Sequence, residues 1–297
     1  MPPLVSFTGG KGGTGKSFIA TNIAYLLGLE RRHLLADLDV EAPNDHILLG
    51  VKELGEKEPV PIFFPRIDYS KCTLCGACAK VCDTGAIIMS KNRPPIVMPR
   101  LCSGCKACLY ACVYDAIKPG ARIIGFMHTT PVTIGESAFT LITGVLHQGE
   151  EHTAPLVHGV KSRALRRARE DSVPLLVDTG AGTGNSISIA IQYSDLVVAV
   201  TEPTPLGLHD LRAILEITRG LGMRTWVVLN RAGIGDSDPH RRLAREYGVE
   251  HYHEVPYAKE AVEAYVKGVP VVAYAPNSRV AEKIRELYDL MRPIIAG

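Results

Sequence analysis

All eight cysteines of this 297-residue chain lie within one short stretch. They form two copies of the pattern Cys-x2-Cys-x2-Cys-x3-Cys, the first from Cys72 to Cys82 and the second from Cys102 to Cys112. Equivalent positions are 30 residues apart, and each copy is followed by Ala-Ile. Two copies are too few for a solenoid, which needs about three repeats or more. The clustering indicates a small cofactor-binding module with two-fold sequence symmetry, not a disulfide framework.

Both cysteine runs resemble the bacterial two-cluster ferredoxin. In that family, three closely spaced thiolates of a run bind one 4Fe–4S cluster, and the fourth cysteine binds the other cluster. The resemblance therefore implies two ligand sets that cross between the runs. The first set is Cys72, Cys75, Cys78 and Cys112, and the second is Cys102, Cys105, Cys108 and Cys82. Zinc sites also use closely spaced cysteine pairs, and they are the alternative interpretation.

Outside the cysteine stretch, short apolar segments alternate with helical patterns. Residues 4–8 form an apolar run that ends in glycines, as a buried parallel strand does, and residues 16–29 have an amphipathic helical pattern. Similar apolar runs, expected to be strands, recur along the chain at 33–37, 175–178, 196–200, 225–229 and 269–274. This alternation predicts a doubly wound, mostly parallel α/β sheet.

A glycine-rich loop between the first predicted strand and helix matches Gly-x4-Gly-Lys-Ser. A strand before this motif and a helix after it are the context that phosphate binding requires. The backbone N–H groups of such a loop bind phosphates, Lys16 reaches the β and γ oxygens, and the Ser17 hydroxyl binds Mg²⁺. The predicted loop residues are Gly10, Gly12, Gly13, Thr14, Gly15, Lys16 and Ser17.

Lys11 adds a second lysine to this loop. Residues 9–17 read GGKGGTGKS and resemble the deviant Walker A motif of the MinD/ParA/Mrp/nitrogenase-iron-protein group of P-loop ATPases. The resemblance implies ATP hydrolysis by a nucleotide-dependent dimer, either a homodimer or a heterodimer of paralogues, in which Lys11 reaches the partner's nucleotide. A cation supplied in this way stabilises charge on the phosphoryl group. A solvated loop lysine is the alternative.

The resemblance extends to polar residues beyond the loop. It implies that Asp39, in switch I, orients or activates the attacking water, and that Asp37 supports the metal. It also implies that Asp178, in the Walker B segment, holds Mg²⁺ through water. Asn44 would contact the nucleotide and Asn230 would face the adenine base. Without the resemblance, an aspartate after a strand is also compatible with a helix cap, and Asn230 with a turn.

These motifs divide the chain into three segments. We predict that residues 1–65 and 119–297 form one P-loop ATPase domain and that residues 66–118 form an inserted α+β domain resembling ferredoxin. The insert would follow switch I and precede switch II. The expected fold class is α/β, and the expected cofactors are ATP, Mg²⁺ and two 4Fe–4S clusters per chain.

Composition limits the remaining possibilities. With 46% hydrophobic and 22% charged residues, the chain can bury a core, which excludes wholesale disorder. A formal net charge of +2 gives no general basis for binding nucleic acid or anionic lipid. The chain begins without a signal-peptide layout and has no apolar run of membrane-spanning length. We therefore expect a cytoplasmic protein with neither nucleic acid nor a membrane as its partner.

Three functions are compatible with these motifs. The favoured one is an ATPase that couples nucleotide state to the clusters, for electron transfer or metallocofactor assembly with a redox partner or client protein. The first alternative is an iron–sulfur carrier or scaffold resembling Mrp, and the second is a redox-sensing regulator resembling ParA. Lys71 and Lys106 are candidate contacts for an acidic electron donor.

Overall fold

The computed structural model describes residues 2–296, which form two compact units. The larger unit contains the described residues up to Glu58, Met127–Val145, and those from Val157 onward. The smaller unit contains Pro59–Phe126 and Leu146–Leu156. The segment 66–118 lies within the smaller unit, which therefore contains all eight cysteines and also residues on both sides of that segment.

Strands and helices alternate along most of the chain. The strands are β1 (Leu4–Gly9), β2 (Leu34–Leu38), β3 (Glu56–Ile67), β4 (Ile87–Ile88), β5 (Ile96–Val97), β6 (Ile117–Ile134), β7 (Ser137–Leu146), β8 (Leu175–Ala181), β9 (Leu196–Thr201), β10 (Thr225–Ala232) and β11 (Tyr252–Pro256). The helices are α1 (Lys16–Glu30), α2 (Asp45–Leu48), α3 (Ala77–Lys80), α4 (Ala107–Ala111), α5 (Thr153–Asp171), α6 (Asn185–Ile191), α7 (Pro205–Gly220), α8 (Asp238–Glu246), α9 (Lys259–Lys267), α10 (Val271–Tyr274) and α11 (Arg279–Ala296). Within residues 2–296, none of these helices has both the length and the apolar composition needed to cross a bilayer.

A mostly parallel sheet forms the centre of the larger unit. Its strands follow the order β11-β10-β9-β1-β8-β2-β7, and each neighbouring pair is parallel. The central strands are mostly buried and rich in leucine and valine, as strands covered on both faces are. The carboxyl ends of β1, β2 and β8 meet at one edge of the sheet, where α/β proteins bind ligands.

Two layers of helices cover the sheet, as the predicted doubly wound fold requires. Successive residues of a strand point to opposite faces. Val198 and Val200 of β9 therefore pack in the core that contains α1 and α11, whereas Val197 and Ala199 pack in the core that contains α6, α7 and α8. The predicted α/β fold class is confirmed for this part of the chain.

Residues 269–274 do not form the strand predicted for them. Gly268 ends α9 in the left-handed conformation with φ 64°, and Pro270 directly precedes the short helix α10. The side-chain oxygen of Asn22 in α1 accepts a hydrogen bond from the Val272 N–H at 3.1 Å, which fixes this turn against the core. A short apolar run is compatible with either a buried strand or a buried helix, so its pattern alone does not distinguish the two.

The smaller unit repeats one local structure in both cysteine runs. Helices α3 and α4 each begin between the second and third cysteines of a run, after a residue with positive φ, Gly76 in the first and Lys106 in the second. Strands β4 and β5 form an antiparallel pair. Ile87 and Ile117 occupy equivalent positions and are buried together with Cys108. Strand β6 pairs with β3 beside this core.

Candidate functional site

The predicted phosphate loop connects β1 to α1, and its conformation depends on glycine. Gly15 has φ 95°, which a residue with a side chain rarely adopts. A Cβ atom on Gly15 would also lie only 2.1 Å from Nδ2 of Asn230. That nitrogen donates a hydrogen bond to the Thr14 carbonyl oxygen at 2.9 Å. Asn230, predicted to face the base, therefore also supports the phosphate loop.

A cleft of about 440 Å³ opens next to this loop, a volume within the range of small-ligand pockets. The predicted residues that line it are Gly12, Gly13, Gly15, Lys16, Ser17, Asp39, Asn44 and Asn230. Helix α9 and the segment before it add Tyr257, Val262 and Tyr265. The cleft thus has a polar end at the phosphate loop and apolar, aromatic side chains elsewhere. This is the combination that a nucleotide needs for its phosphates and base.

Ser17 and three buried aspartates lie together behind the phosphate loop. The Ser17 hydroxyl donates to Oδ2 of Asp178 at 2.5 Å. One carboxylate oxygen each of Asp37, Asp45 and Asp178 lies within 4.8 Å of the others. Oδ1 of Asp178 and both side-chain oxygens of Asp45 are buried without a hydrogen-bond partner. Carboxylate oxygens are the ligands of hard divalent cations, so these residues fit a Mg²⁺ ion.

The electrostatics of this aspartate group favour a bound cation. Burial raises the pKa of Asp37 to about 8, and the charge of Asp178 adds to the shift. Burial also raises the pKa of Asp178 to about 6, although the charge of Lys16 and the Ser17 hydrogen bond act against it. The pKa of Asp45 lies well above its ordinary value for the same reason, burial. Without a cation, the group must therefore retain protons near neutral pH.

Asp37 organises the loop that follows β2. Its carboxylate accepts backbone hydrogen bonds from Asp39 at 3.0 Å, Asn44 at 3.0 Å and Asp45 at 3.1 Å. This places Asp39 and Asn44 at the cleft. Burial raises the pKa of Asp39, and the charge of Lys16 opposes that shift. The assigned roles of Asp37 on the metal and of Asp39 on water stay predictions.

Lys11 is bound within its own chain in this structure. Its Nζ lies 2.7 Å from Oε1 of Glu202, and a guanidinium nitrogen of Arg231 lies 2.8 Å from Oε2 of the same carboxylate. Glu202 is largely buried at the end of β9. Burial acts to raise the pKa of Glu202, but the hydrogen bonds and charges of Lys11 and Arg231 prevail and hold it below its usual value. Lys11 is therefore not simply a solvated loop lysine.

The eight cysteines line two separate pockets in the smaller unit, and all eight are free thiols. The first cysteine pocket contains Cys72, Cys75, Cys78 and Cys112. The second cysteine pocket contains Cys82, Cys102, Cys105 and Cys108. Each pocket therefore combines three cysteines of one run with the last cysteine of the other. Four convergent thiols without disulfide bonds fit a 4Fe–4S cluster.

The thiols in the two pockets differ in their surroundings. In the first pocket, Sγ of Cys112 accepts a hydrogen bond from the Ala116 N–H at 3.3 Å. In the second, Cys102 and Cys108 are buried, and burial raises the pKa of Cys108 to about 11. Burial likewise raises the pKa of Cys102, opposed by the Gly104 N–H and by the charge of Arg122. A metal that binds these sulfurs must displace their protons.

Comparison with known proteins shows the family to which the chain belongs. The model of the CobQ/CobB/MinD/ParA nucleotide-binding domain family matches residues 5–271. The chain belongs to this family. The match begins in β1 and ends in α10, so it includes the phosphate loop, Asp37, Asp178 and Asn230.

Relatives of this nucleotide-binding domain include archaeal proteins of similar length. The uncharacterized protein MJ0579 of Methanocaldococcus jannaschii is 33% identical over 95% of this chain and 96% of its own length. The cell division ATPase MinD of Pyrococcus furiosus has the same fold, with a TM-score of 0.61 and 19% identity over 99% of this chain and 100% of its own. MinD of Pyrococcus horikoshii, solved in complex with Mg-ADP, also has a TM-score of 0.61, with 18% identity over 98% of this chain and 96% of its own.

Sequence reasoning missed two residues of the nucleotide-binding domain. Asp45 follows Asn44 in the chain, and its carboxylate joins those of Asp37 and Asp178. Glu202 follows β9 and binds Lys11. The signal for Glu202 was an acidic residue just after a buried apolar run, whereas Asp39 was assigned by its resemblance to switch I. For Asp45 the only signal was its closeness to Asn44 in sequence.

Proposed function

We propose that the chain is a Mg²⁺-dependent ATPase that couples its nucleotide state to two 4Fe–4S clusters, for electron transfer or metallocofactor assembly with a partner protein. One observation carries the proposal. The same chain combines a phosphate loop backed by the Ser17–Asp178 pair with two pockets of four free cysteines each. Family membership supports the nucleotide half, and the Mg-ADP complex of the Pyrococcus horikoshii relative supports the choice of ligand.

In this proposal the phosphate loop binds the nucleotide with backbone N–H groups and with Lys16. Lys16 is almost completely buried, so its charge acts on the β and γ phosphates with little screening. The Ser17 hydroxyl and Asp178 face each other at 2.5 Å, and both would turn toward Mg²⁺. The unpartnered oxygens of Asp178 and Asp45 provide further capacity for the ion or its waters.

Asp39 is the proposed residue for activating water. It lines the cleft, and burial raises its pKa toward the range in which a carboxylate accepts a proton efficiently. The hydrogen bonds from the following loop to Asp37 fix the backbone from which Asp39 extends. A positioned base of this kind contributes about 10²- to 10⁴-fold to a rate.

Lys11 is proposed to act on the nucleotide of a partner subunit, in a homodimer or a heterodimer of paralogues. To do so it must leave Glu202, to which it binds at 2.7 Å. Arg231 binds the other oxygen of Glu202, so the carboxylate retains one cation when Lys11 leaves. This remaining pair lowers the electrostatic cost of releasing Lys11.

The two cysteine pockets are proposed to hold the clusters, with four thiolates for each. A bound 4Fe–4S cluster supplies reversible one-electron transfer. The chain's part is to bind and shield it. Cys102 and Cys108 are buried, while Cys75 and Cys105 are exposed, so each pocket has an open side. Exposed Lys71 and Lys106 are the proposed contacts for an acidic redox partner.

The test is anaerobic reconstitution of the full chain with iron and sulfide, followed by metal analysis and an ATPase assay with and without Mg²⁺. We expect about eight irons and eight sulfides per chain, the content of two 4Fe–4S clusters, together with Mg²⁺-dependent ATP hydrolysis. Zinc in place of iron and sulfide would contradict the cluster half. Lack of ATP binding by the iron-loaded protein would contradict the nucleotide half.

Cluster transfer to an apo-protein separates the main proposal from the carrier alternative. The main proposal expects clusters to stay on the chain during ATP turnover, because four thiolates hold each one. Transfer that ATP accelerates would favour a carrier. The control variant Cys75→Ser should lose the cluster of the first pocket only. Its iron content then gives the reference value for a chain with one cluster.

A further inference from the structure

Arg122 connects the second cysteine pocket to a buried ion pair. It lies on β6 in the smaller unit, with its side chain only 15% exposed. One guanidinium nitrogen donates to the Cys102 carbonyl oxygen at 3.0 Å. Another binds a carboxylate oxygen of Glu150. The positive charge is thereby held against the backbone of a proposed cluster ligand.

Glu150 fixes the orientation of Arg122. Its side chain is only 6% exposed and forms contacts with both guanidinium NH groups of Arg122. It also accepts hydrogen bonds from the backbone N–H groups of Glu151 and His152, at 3.1 Å and 3.0 Å, and Nδ1 of His152 lies 2.5 Å away. A carboxylate with this many partners is rigid, so the guanidinium that binds it is pre-positioned. Arg122 thus presents its positive end to Cys102, with the negative charge behind it.

The first cysteine pocket has no equivalent among the described residues that contact it. The position 30 residues before Arg122 is Asn92, which is neutral and exposed. The cation nearest in sequence to Cys72 is Lys71, which pairs with Asp115 at 3.3 Å. Both side chains of that pair are about half exposed or more, at 48% and 65%, so water and salt screen its charge. The two halves of the module therefore share their cysteine pattern, but among the described residues a largely buried cation, Arg122, is hydrogen-bonded to a cysteine of the second pocket alone.

We propose that Arg122, held in place by Glu150, raises the reduction potential of the cluster in the second cysteine pocket and leaves the first pocket unaffected. The inference rests on the proposed cluster binding. Adding one electron to a 4Fe–4S cluster with four thiolates changes its total charge from about −2 to about −3. A buried cation stabilises the added charge strongly because little water screens the interaction. Arg122 is thus a positioning and potential-setting residue, not a ligand.

Burial of the second pocket lowers the reduction potential of its cluster, the opposite of the effect of Arg122. Cys102 and Cys108 are buried, and removal of water disfavours the more highly charged, reduced state. The two effects partly cancel in the native protein, so the order of the two native potentials does not test the inference. Substitutions that change only the charge of the Arg122–Glu150 pair do test it.

The experiment is an anaerobic redox titration of the full, cluster-loaded chain, with dithionite as the one-electron donor and EPR as the readout. In Arg122→Gln we expect the equilibrium constant for reduction of one cluster to fall about tenfold, which lowers its reduction potential by about 59 mV for one electron. Glu150→Gln should shift the same cluster in the opposite direction, since Arg122 then loses its compensating charge. The other cluster should change less than twofold in both variants, and Lys71→Gln should change neither cluster by more than twofold.

The opposite signs separate an electrostatic role from a structural one. Loss of packing alone would perturb the pocket in the same direction in both variants. Shifts of the same sign, equal shifts of both clusters, or no shift in either variant would overturn the inference. If Arg122→Gln fails to load its second cluster, a rise in potential in Glu150→Gln supports the inference and its absence contradicts it. Absence of clusters from the native chain would instead refute the proposed function.

Discussion

Buried carboxylates have opposite surroundings in the nucleotide site and in the cysteine module. Behind the phosphate loop, Asp45 and Asp178 have buried oxygens without any hydrogen-bond partner, and the pKa values of Asp37, Asp45 and Asp178 are all raised by burial. In the smaller unit, the buried Glu150 is fully engaged by Arg122 and His152, and its pKa falls to about 2 because these hydrogen bonds outweigh the effect of burial.

The difference shows which site needs a cation to compensate its buried charges. A group of unpartnered buried carboxylates is costly unless a cation or protons compensate it. We therefore expect the nucleotide site to change when Mg²⁺ and ATP bind. Glu150 already has partners within the chain, Arg122 and His152, so we expect its charge to depend less on a bound ligand. Four sets of substitutions test this comparison, in order of decreasing expected effect.

Paired cysteine substitutions give the largest expected effect. Cys102→Ser with Cys112→Ser removes one ligand from each pocket, although both residues belong to one run. We expect this double variant to lose nearly all cluster iron, measured after anaerobic reconstitution. Cys72→Ser with Cys112→Ser affects the first pocket alone and should retain half the iron of the native chain. The reverse result would show that each run binds its own cluster.

Lys16→Ala tests whether the nucleotide site fails independently of the module. Removing this nearly buried cation should weaken ATP binding by about 10³-fold or more, because the phosphates lose their main charge partner. Titration calorimetry measures the affinity, and metal analysis should find iron unchanged. Lys52→Ala, at an exposed position of the same unit, is the control. Normal ATP affinity in Lys16→Ala would show that the cleft is not the nucleotide site.

Asp39→Ala separates binding from hydrolysis. We expect ATP affinity to stay within a few-fold of the native value and turnover to fall about 10²-fold or more, the loss of a positioned base. Steady-state phosphate release measures the rate. Glu41→Ala, two residues away and exposed, should retain activity. Normal turnover in Asp39→Ala would refute its assignment to the attacking water.

Asp45→Asn tests the unpartnered carboxylates through stability. The pKa of Asp45 is raised on folding, so the folded state binds more protons than the unfolded state between about pH 4 and the raised folded pKa. The free energy of unfolding of the metal-free chain should therefore fall as pH rises through this window. Asp45→Asn should weaken that slope, and it should stabilise the metal-free chain more at pH 8 than at pH 5.

Urea unfolding with EDTA present, at pH 5 and pH 8, measures the effect of Asp45→Asn. Asp289→Asn, at an exposed position of α11, is the control and should leave the slope unchanged. A variant that is less stable than the native chain at pH 8 would mean that Asp45 has a stabilising partner. The contrast between the nucleotide site and the cysteine module would then be wrong.

The sequence predicted the parts of the fold that depend on local pattern. Buried parallel strands are largely apolar runs, so β1, β8, β9 and β10 could be predicted from the sequence. Residues 269–274 were predicted wrongly because a short apolar run does not distinguish a strand from a buried helix. Strand β7 and the contribution of residues 146–156 to the smaller unit were not predicted, since both depend on distant contacts.

The candidate site shows the same division between local and distant information. The phosphate loop is a contiguous motif, so its residues could be named from the sequence. Glu202 is 191 positions from Lys11, and Glu150 is 28 positions from Arg122, and neither pair forms part of a recognisable motif. Such ion pairs arise only when the fold brings separate elements together. The charges that tune a site are therefore harder to predict than the residues that form it.

If nucleotide binding and cluster reduction are thermodynamically coupled, the bound nucleotide changes the reduction potentials of the clusters. Cluster midpoint potentials of the native chain should be measured anaerobically, by EPR-monitored titration, with Mg-ADP and then with Mg²⁺ and a non-hydrolysable ATP analogue. We expect the analogue to shift at least one potential by about 59 mV or more, a tenfold change in a one-electron equilibrium. Two potentials that stay the same in both nucleotide states would contradict thermodynamic coupling between nucleotide and clusters.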